Sequence, residues 1–304
     1  MSLIIVISGG TGLIGKALSR KLARAGNTVR ILTRTPEKYS ESPSISFHFW
    51  DWKRRKIDEN VFQNAQVFIH LAGANIGAKR WTSAYKAEIA GSRILSLKFI
   101  REYLQEKGIR LRTFIGASAI GYYGCITDKL LRTEEDPPGD DFLAGVVSVW
   151  EEESLLMNRV ADNVTVLRTG VVLDKNEGAF PKMIKPVKMK MPLVLGSGKQ
   201  YVNWIATDDI ADMYAYALEK GLNGIYNAVA PRPVTYKEFV ECAAMLLNLF
   251  CCLPSVPGFL LKLFLGEMAC LVTEGVPVSS SKIRESGFVF KYDRLEKLLR
   301  DYLR

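Results

Sequence analysis

The sequence predicts an α/β protein, a doubly wound parallel sheet with a smaller, mainly helical C-terminal lobe. Three observations carry this reading. Short β-branched runs alternate with helical patterns through the first third of the chain, the signature of βαβ units. A glycine-rich turn, Gly9-Gly10-Thr11-Gly12-Leu13-Ile14-Gly15, comes directly after the first of those runs. From Arg232 onward the pattern becomes mainly helical, which sets the last segment apart.

In chain order, residues 3–8 read as strand one and 13–25 as a helix stopped by Gly26-Asn27, with 28–33 as strand two. Residues 45–49 read as strand three, 67–71 as strand four and 82–106 as one long helix. Residues 113–117 give strand five and 164–168 strand six. The acidic stretch 127–141, with Pro137-Pro138, reads as a surface loop leading into a helix through Trp150-Glu151. Residues 178–198 hold three prolines and four lysines and are expected in a lobe or lid. Thr207-Asp208-Asp209 reads as the N-cap of a helix over 210–220, with a short strand after it at 225–228.

With 304 residues, 48% apolar and 24% charged, the chain can bury a sizeable core without disulfides or metals. The excess of 41 Lys+Arg over 32 Asp+Glu, a formal charge of +9, favours anionic partners. The only tight basic run, Lys53-Arg54-Arg55-Lys56, lacks interleaved aromatics and reads as a solvated loop, so no nucleic-acid partner is expected. Cys125, Cys242, Cys251, Cys252 and Cys270 are odd in number and form no C-x-x-C, and His48 and His70 are the only histidines, so neither a metal cage nor a disulfide framework is expected. The N-terminal run carries no cationic leader, and the expected compartment is the reducing cytoplasm. Two apolar stretches, 243–253 and 259–272, fall short of the roughly 20 residues of a spanning helix and read as buried helices or a subunit contact, with no membrane partner.

The glycine turn satisfies G-x-G-x-x-G from Gly10 and G-x-x-G-x-x-G from Gly9. Placed between a strand and a helix, it lets backbone N–H groups at the helix N-terminus hold a pyrophosphate, as in a Rossmann-type dinucleotide fold. About 20 positions on, where an acidic residue would grip the ribose 2′-hydroxyl of NAD, the chain has Thr33-Arg34-Thr35. A carboxylate would repel a 2′-phosphate, whereas Arg34 can pair with it and Thr33 can donate to it, so the expected cofactor is NADP.

These residues, with His70-Leu71-Ala72-Gly73 closing strand four and Ala117-Ser118 closing strand five, resemble the extended short-chain dehydrogenase/reductase superfamily. The chain looks most like its atypical epimerase-family branch, described as predicted nucleoside-diphosphate-sugar epimerases and sometimes as cell-division inhibitors. The marks run the whole length: Leu71-Ala72-Gly73-Ala74-Asn75, Arg80-Trp81, Gly91-Ser92-Arg93, Ser118 with Gly121-Tyr122-Tyr123-Gly124, Arg168-Thr169-Gly170, Gly196-Ser197-Gly198-Lys199-Gln200, Trp204-Ile205 and Glu285-Ser286-Gly287-Phe288.

The resemblance implies a Rossmann core over 1–173, with 205–230 returning to it, and a substrate lobe from 174–204 and 231–304. It implies NADP(H) held by Gly9 to Gly15, Thr33, Arg34, Leu71, Ala72, Gly73, Glu88 and Arg93. It places Ser118 where the superfamily orients substrate oxygen, and Tyr122 is the tyrosine best placed to relay a proton. The superfamily's Tyr-x-x-x-Lys pair belongs on the helix after Ser118, yet residues 140–151 contain neither Tyr nor Lys. Tyr103 with Lys107 and Tyr216 with Lys220 match the spacing outside that position. The family's usual His and Glu are replaced by Ala206 and Ala74. Asn75, Arg80, Trp81, Lys199, Gln200 and Trp204 are expected on the substrate side, where indoles offer faces to a base or sugar and cations meet a diphosphate.

Two functions are weighed. One is an NADP(H)-dependent oxidoreductase or epimerase acting on a nucleotide sugar or related small alcohol. The other is a non-catalytic NADP(H)-binding sensor. A homodimer through the apolar helix 143–150 is consistent with either, as is burial of that helix within one chain.

Overall fold

The computed structural model describes residues 2–249 and 255–304. Cys251 and Cys252, and the end of the apolar stretch 243–253, lie outside the described residues. The first half of the chain runs β1 (Ile4–Ser8), α1 (Leu13–Arg24), β2 (Thr28–Thr33), β3 (Ile45–Asp51), β4 (Lys56–Ile57) and β5 (Val67–His70). It continues with α2 (Ser83–Gly91), α3 (Ile94–Glu106), β6 (Leu111–Ala119), α4 (Phe142–Leu155) and β7 (Ala161–Thr169). The second half holds β8 (Val171–Leu173), α5 (Phe180–Lys188), β9 (Val194–Leu195), β10 (Tyr201–Val202), β11 (Trp204–Ala206), α6 (Thr207–Lys220) and β12 (Gly224–Ala228). The lobe ends with β13 (Val234–Thr235), α7 (Tyr236–Leu246), β14 (Ser255–Val256), α8 (Gly258–Leu265), α9 (Cys270–Thr273), α10 (Ser281–Glu285) and α11 (Leu295–Tyr302).

The main sheet has the order β12-β7-β6-β5-β1-β2-β3-β4, parallel throughout except for the β3–β4 pair. Its central strands are buried on both faces, which is why they read as unbroken apolar runs rather than alternating ones. On one face α1 and α6 pack over Ile5, Ile7, Ile31 and Leu167, and on the other α3 and α4 pack over Val6, Phe68 and Phe114. A separate core in the second half of the chain gathers Phe180, Trp204, Phe239 and Leu298. His70 ties the sheet to α3: its Nδ1 lies 2.7 Å from the Ser8 hydroxyl and its Nε2 3.2 Å from that of Ser96.

The expected helix over 82–106 is two helices. The Ser92 hydroxyl accepts the Ala74 N–H at 2.8 Å and donates to the Ile89 carbonyl at 3.1 Å, and the second helix starts after Arg93, whose φ of −103° is stretched from the helical value. A side chain that bonds nearby backbone offers the chain an alternative to the helical ladder. The expected Thr207-Asp208-Asp209 cap is also corrected. The helix begins at Thr207 behind an uncapped Ala206, and Thr207 donates to the Leu173 carbonyl at 3.1 Å. Asp209, buried, accepts the Lys291 and Tyr292 N–H groups at 2.6 and 3.0 Å, fastening the C-terminal segment to α6.

Asp141 does cap a helix, accepting from Leu143 and Ala144 at the start of α4. On that helix Leu143, Ala144, Val146, Val147 and Trp150 are buried within the chain, while Val149 is exposed. The expectation of burial fails for α8, whose Phe259, Leu263 and Phe264 are about 70% exposed. Among the described residues no helix is long and apolar enough to cross a membrane.

Candidate functional site

The strand order reverses between β1 and β5, since the chain steps outward to β3 on one side and outward to β7 on the other. The crevice at the carboxyl ends of such strands is where open α/β sheets bind ligands. The glycine turn leaves β1 there, and Leu71-Ala72-Gly73 leaves β5 beside it, with the Leu71 N–H donating to the Ser8 carbonyl at 3.0 Å. Two glycines are sterically required. Gly9 has φ +72°, and a Cβ on it would lie 2.6 Å from the Leu71 carbonyl carbon, while a Cβ on Gly15 would lie 2.3 Å from the Gly9 carbonyl oxygen.

Gly12 caps α1 in an extended conformation without a side-chain hydrogen bond, and no acid occupies the first turn. The leading N–H groups, with Thr11, Leu13 and Ile14 around them, therefore remain open to an anion. At the end of β2, Thr33 is buried and Arg34 is exposed, and no ion pair engages Arg34 among the described residues. Glu88 is joined instead to Lys53 of the basic run, and Arg55 of that run meets Glu102 at 3.0 Å.

Arg93 reaches into the crevice from the break between α2 and α3. Its guanidinium donates to the Ile89 and Ala74 carbonyls at 3.0 and 3.1 Å, lies against Gly73 and sits 5.3 Å from the Trp150 ring. Burial pulls its pKa down to about 10, which leaves it charged at neutral pH, and no carboxylate pairs with it among the described residues. An open helix N-terminus, a free cation at Arg34 and a buried cation at Arg93 are a donor set that fits a phosphorylated dinucleotide.

Ser118 is engaged within the chain. It is 3% exposed, and its hydroxyl donates to Glu151 of α4. Glu151 holds Arg168 of β7 through two bonds of 2.8 Å, and Arg168 donates in turn to the Tyr123 hydroxyl at 3.0 Å. The Tyr123 hydroxyl donates onward to Asn227 at 2.7 Å, and burial lifts its pKa to about 12 against the pull of Arg168. Burial works against the Arg168 charge as well, but Glu151 outweighs it and the guanidinium is held more firmly protonated than usual. Tyr122 lays its ring 3.5 Å from the Arg168 guanidinium. Ser118 thus belongs to a buried polar cluster, and the half-buried Tyr122 ring packs on the Arg168 of that cluster.

Beside that cluster, at the carboxyl ends of β6 and β7, lies a cavity of about 340 Å³. β6 contributes Ala119, not Ser118, because successive side chains of a strand point to opposite faces. α4 contributes Leu143, Val146 and Val147, so the helix face turned to the cavity is apolar. Thr169, Gly170 and Val171 come from β7 and the start of β8, and Tyr201 and Asn203 complete that side. Cys125 and Cys270 line it too, and the hydrogen bond between them pushes the Cys125 thiol up and the Cys270 thiol down.

The residues expected on the substrate side are dispersed. Trp204 is 1% exposed in the lobe core, and Gln200 donates to the Leu195 and Val272 carbonyls at 2.8 Å, so neither faces the cavity. Trp81 donates to the Ile76 carbonyl at 2.8 Å and packs on Phe142. Asn75, Arg80 and Lys199 are exposed outside the cavity lining. Cys125, Tyr201, Asn203, Cys270 and Glu274 line it without any prior signal in the sequence, since each comes from a loop, a short strand or, for Cys270, the one-turn α9, with no motif.

Comparison with known proteins agrees with this geometry. Residues 5–228 match the model of the NAD dependent epimerase/dehydratase family, and residues 256–302 match a domain of unknown function, DUF1731. The chain is 34% identical over 293 residues to the epimerase family protein YfhF of Bacillus subtilis (strain 168), covering 96% of this chain and 95% of that one. It is also 34% identical over 300 residues to the chloroplastic SDR39U1 homolog of Arabidopsis thaliana, covering 97% and 85%. The crystal structure of human epimerase family protein SDR39U1 with NADPH superimposes with a TM-score of 0.85 at 25% identity, covering 99% of each chain. The chain belongs to the NAD dependent epimerase/dehydratase family, with DUF1731 as its C-terminal segment.

Proposed function

We propose that the protein binds NADPH in the crevice and is an oxidoreductase acting on a small alcohol or carbonyl compound. The observation that carries this is the end of β2, where an unpaired Arg34 and the Thr33 hydroxyl stand in place of a carboxylate, beside the open N-terminus of α1. The human relative solved with NADPH supports the same reading. When bound, the nicotinamide supplies or accepts hydride. The chain's own part is to cradle phosphate on backbone N–H groups, to keep charge at Arg93 and to shield the adjoining cavity from water.

Fluorescence titration with NADPH and NADH tests the cofactor assignment. Arg34→Ala is expected to weaken NADPH binding about tenfold to a hundredfold while leaving NADH binding nearly unchanged, as for loss of a hydrogen bond to a charged group. Equal affinity of the unaltered protein for the two cofactors would overturn it.

One observation favours a second reading, a non-catalytic NADP(H) sensor: Ala119, Leu143 and Val147 turn no acid or base to the cavity. The nicotinamide absorbance, followed with a panel of alcohols and carbonyls, separates the two. Tight NADPH binding with no change for any compound supports the sensor.

A further inference from the structure

We propose that the cavity takes a small, neutral, largely apolar molecule carrying one hydrogen-bonding oxygen, and not a sugar nucleotide. The inference deepens the oxidoreductase reading and rests on it for the placement of cofactor next to the cavity. The walls come from three directions and are aliphatic in each: Val146 and Val147 from α4, Ile76 and Ile89 from around α2, Leu271 and Val276 from the C-terminal lobe. A volume of about 340 Å³ sits at the small end of ligand cavities.

The polar groups at these walls are mostly engaged already. Asn203 donates to the Val276 carbonyl at 2.7 Å and accepts the Val278 N–H at 3.0 Å. Thr169 donates to the Leu167 carbonyl, Glu274 accepts from Thr127, and Arg93 holds two carbonyls. One cation and one carboxylate leave the lining with no net charge. A diphosphate carries at least two negative charges and would lose its hydration facing Glu274, with Arg93 as the only lining cation among the described residues, at a large desolvation cost. The exposed Arg80 and Lys199 lie outside the lining and cannot supply the difference. A neutral ligand meets no such cost, and each apolar carbon removed from water contributes favourably. Tyr201 lines the cavity, and among the described residues its hydroxyl has no partner within the chain, so the ligand's oxygen is assigned to it.

The test is titration of the full chain, with and without NADPH, using cyclohexanone, 2-decalone, 2-nonanone and UDP-glucose, read by methyl NMR of the Leu, Val and Ile side chains. The expected result is saturable shifts of the Leu143, Val147 and Leu271 methyls with at least one ketone and none with UDP-glucose. Tyr201→Phe should weaken the ketone about threefold to tenfold, and Leu271→Glu, which charges the wall, about tenfold or more. NADPH affinity within about twofold of the unaltered protein would show that both variants are folded. Saturable shifts of the same methyls by UDP-glucose, or none by any ketone, would overturn the proposal. NADPH binding measured alone separates this failure from that of the cofactor assignment, which fails if NADPH does not bind even where a ketone does.

Discussion

Replacing Glu151 by Leu tests whether the Ser118 cluster is structural. The carboxylate is 4% exposed and accepts from the Ser118 hydroxyl and from Nε and Nη2 of Arg168. Without it, among the described residues a guanidinium that is 2% exposed keeps the Tyr123 hydroxyl, the Glu134 carbonyl at 3.4 Å and the rings of Tyr122 and Tyr123. An uncompensated buried charge of this kind costs about 3–5 kcal/mol. That is a large share of a total stability of about 5–15 kcal/mol. Removing the charge as well, with Glu151→Leu and Arg168→Met together, should recover at least half of the loss, because an apolar pair of similar volume is nearly neutral. Ser118→Ala deletes one donor whose acceptor keeps two others, so about 1 kcal/mol is expected. Equilibrium urea unfolding monitored by circular dichroism measures all four proteins. A double variant no more stable than Glu151→Leu, or a single Glu151 variant costing below about 1 kcal/mol, would refute the account.

Further outcomes are expected elsewhere. Gly15→Ala should abolish or severely weaken NADPH binding in a fluorescence titration, since its Cβ would lie 2.3 Å from backbone oxygen. Gly145→Ala, inside α4 with nothing within 4 Å of the new Cβ, should instead raise stability by about 0.5–1 kcal/mol in thermal unfolding. Burial lowers the His70 pKa from 6.5 to about 3, so the native ring stays neutral while the unfolded ring takes up a proton. Its contribution to stability is therefore complete above pH 6.5 and is lost as pH falls towards about 3, by at most about 1.4 kcal/mol per pH unit. Ser96 donates to the Ser92 carbonyl at 2.7 Å, so Nε2 of His70 carries the proton and Nδ1 accepts from Ser8. Nitrogen NMR should show that single neutral tautomer through the whole window, and a mixed or protonated ring above about pH 5 would contradict it.

The parallel sheet was legible because strands such as Ile4–Ser8 and Val67–His70 are short β-branched runs bounded by turns, and the glycine turn dictates a helix directly after the first of them. The break at Ser92-Arg93 was not legible, because both residues suit a helix and only the tertiary bond from Ala74 reveals the competition. The cofactor side is carried by local chain geometry, which sequence expresses directly. The chemistry side depends on strand parity, and a shift of one residue between Ser118 and Ala119 exchanges a polar cluster for a cavity wall. Trp204 and Gln200 carry the same lesson, since an indole or amide beside a cleft and one inside a core read alike until the packing is known.

The bond between Asp209 and the Lys291-Tyr292 backbone bears on how the protein is made. Ile283, Phe288 and Phe290 share one core with Ile5, Leu18 and Val29, so the face over β1 is finished by residues translated long after it. During synthesis the first strands and α1 emerge with that face bare, and Asp209 waits without its donors until Lys291 and Tyr292 leave the ribosome. Completion of the cofactor half is thus postponed until the C-terminal lobe has been made, and a transcript cut short before those codons would yield a nascent chain that exposes apolar surface to chaperones and proteases.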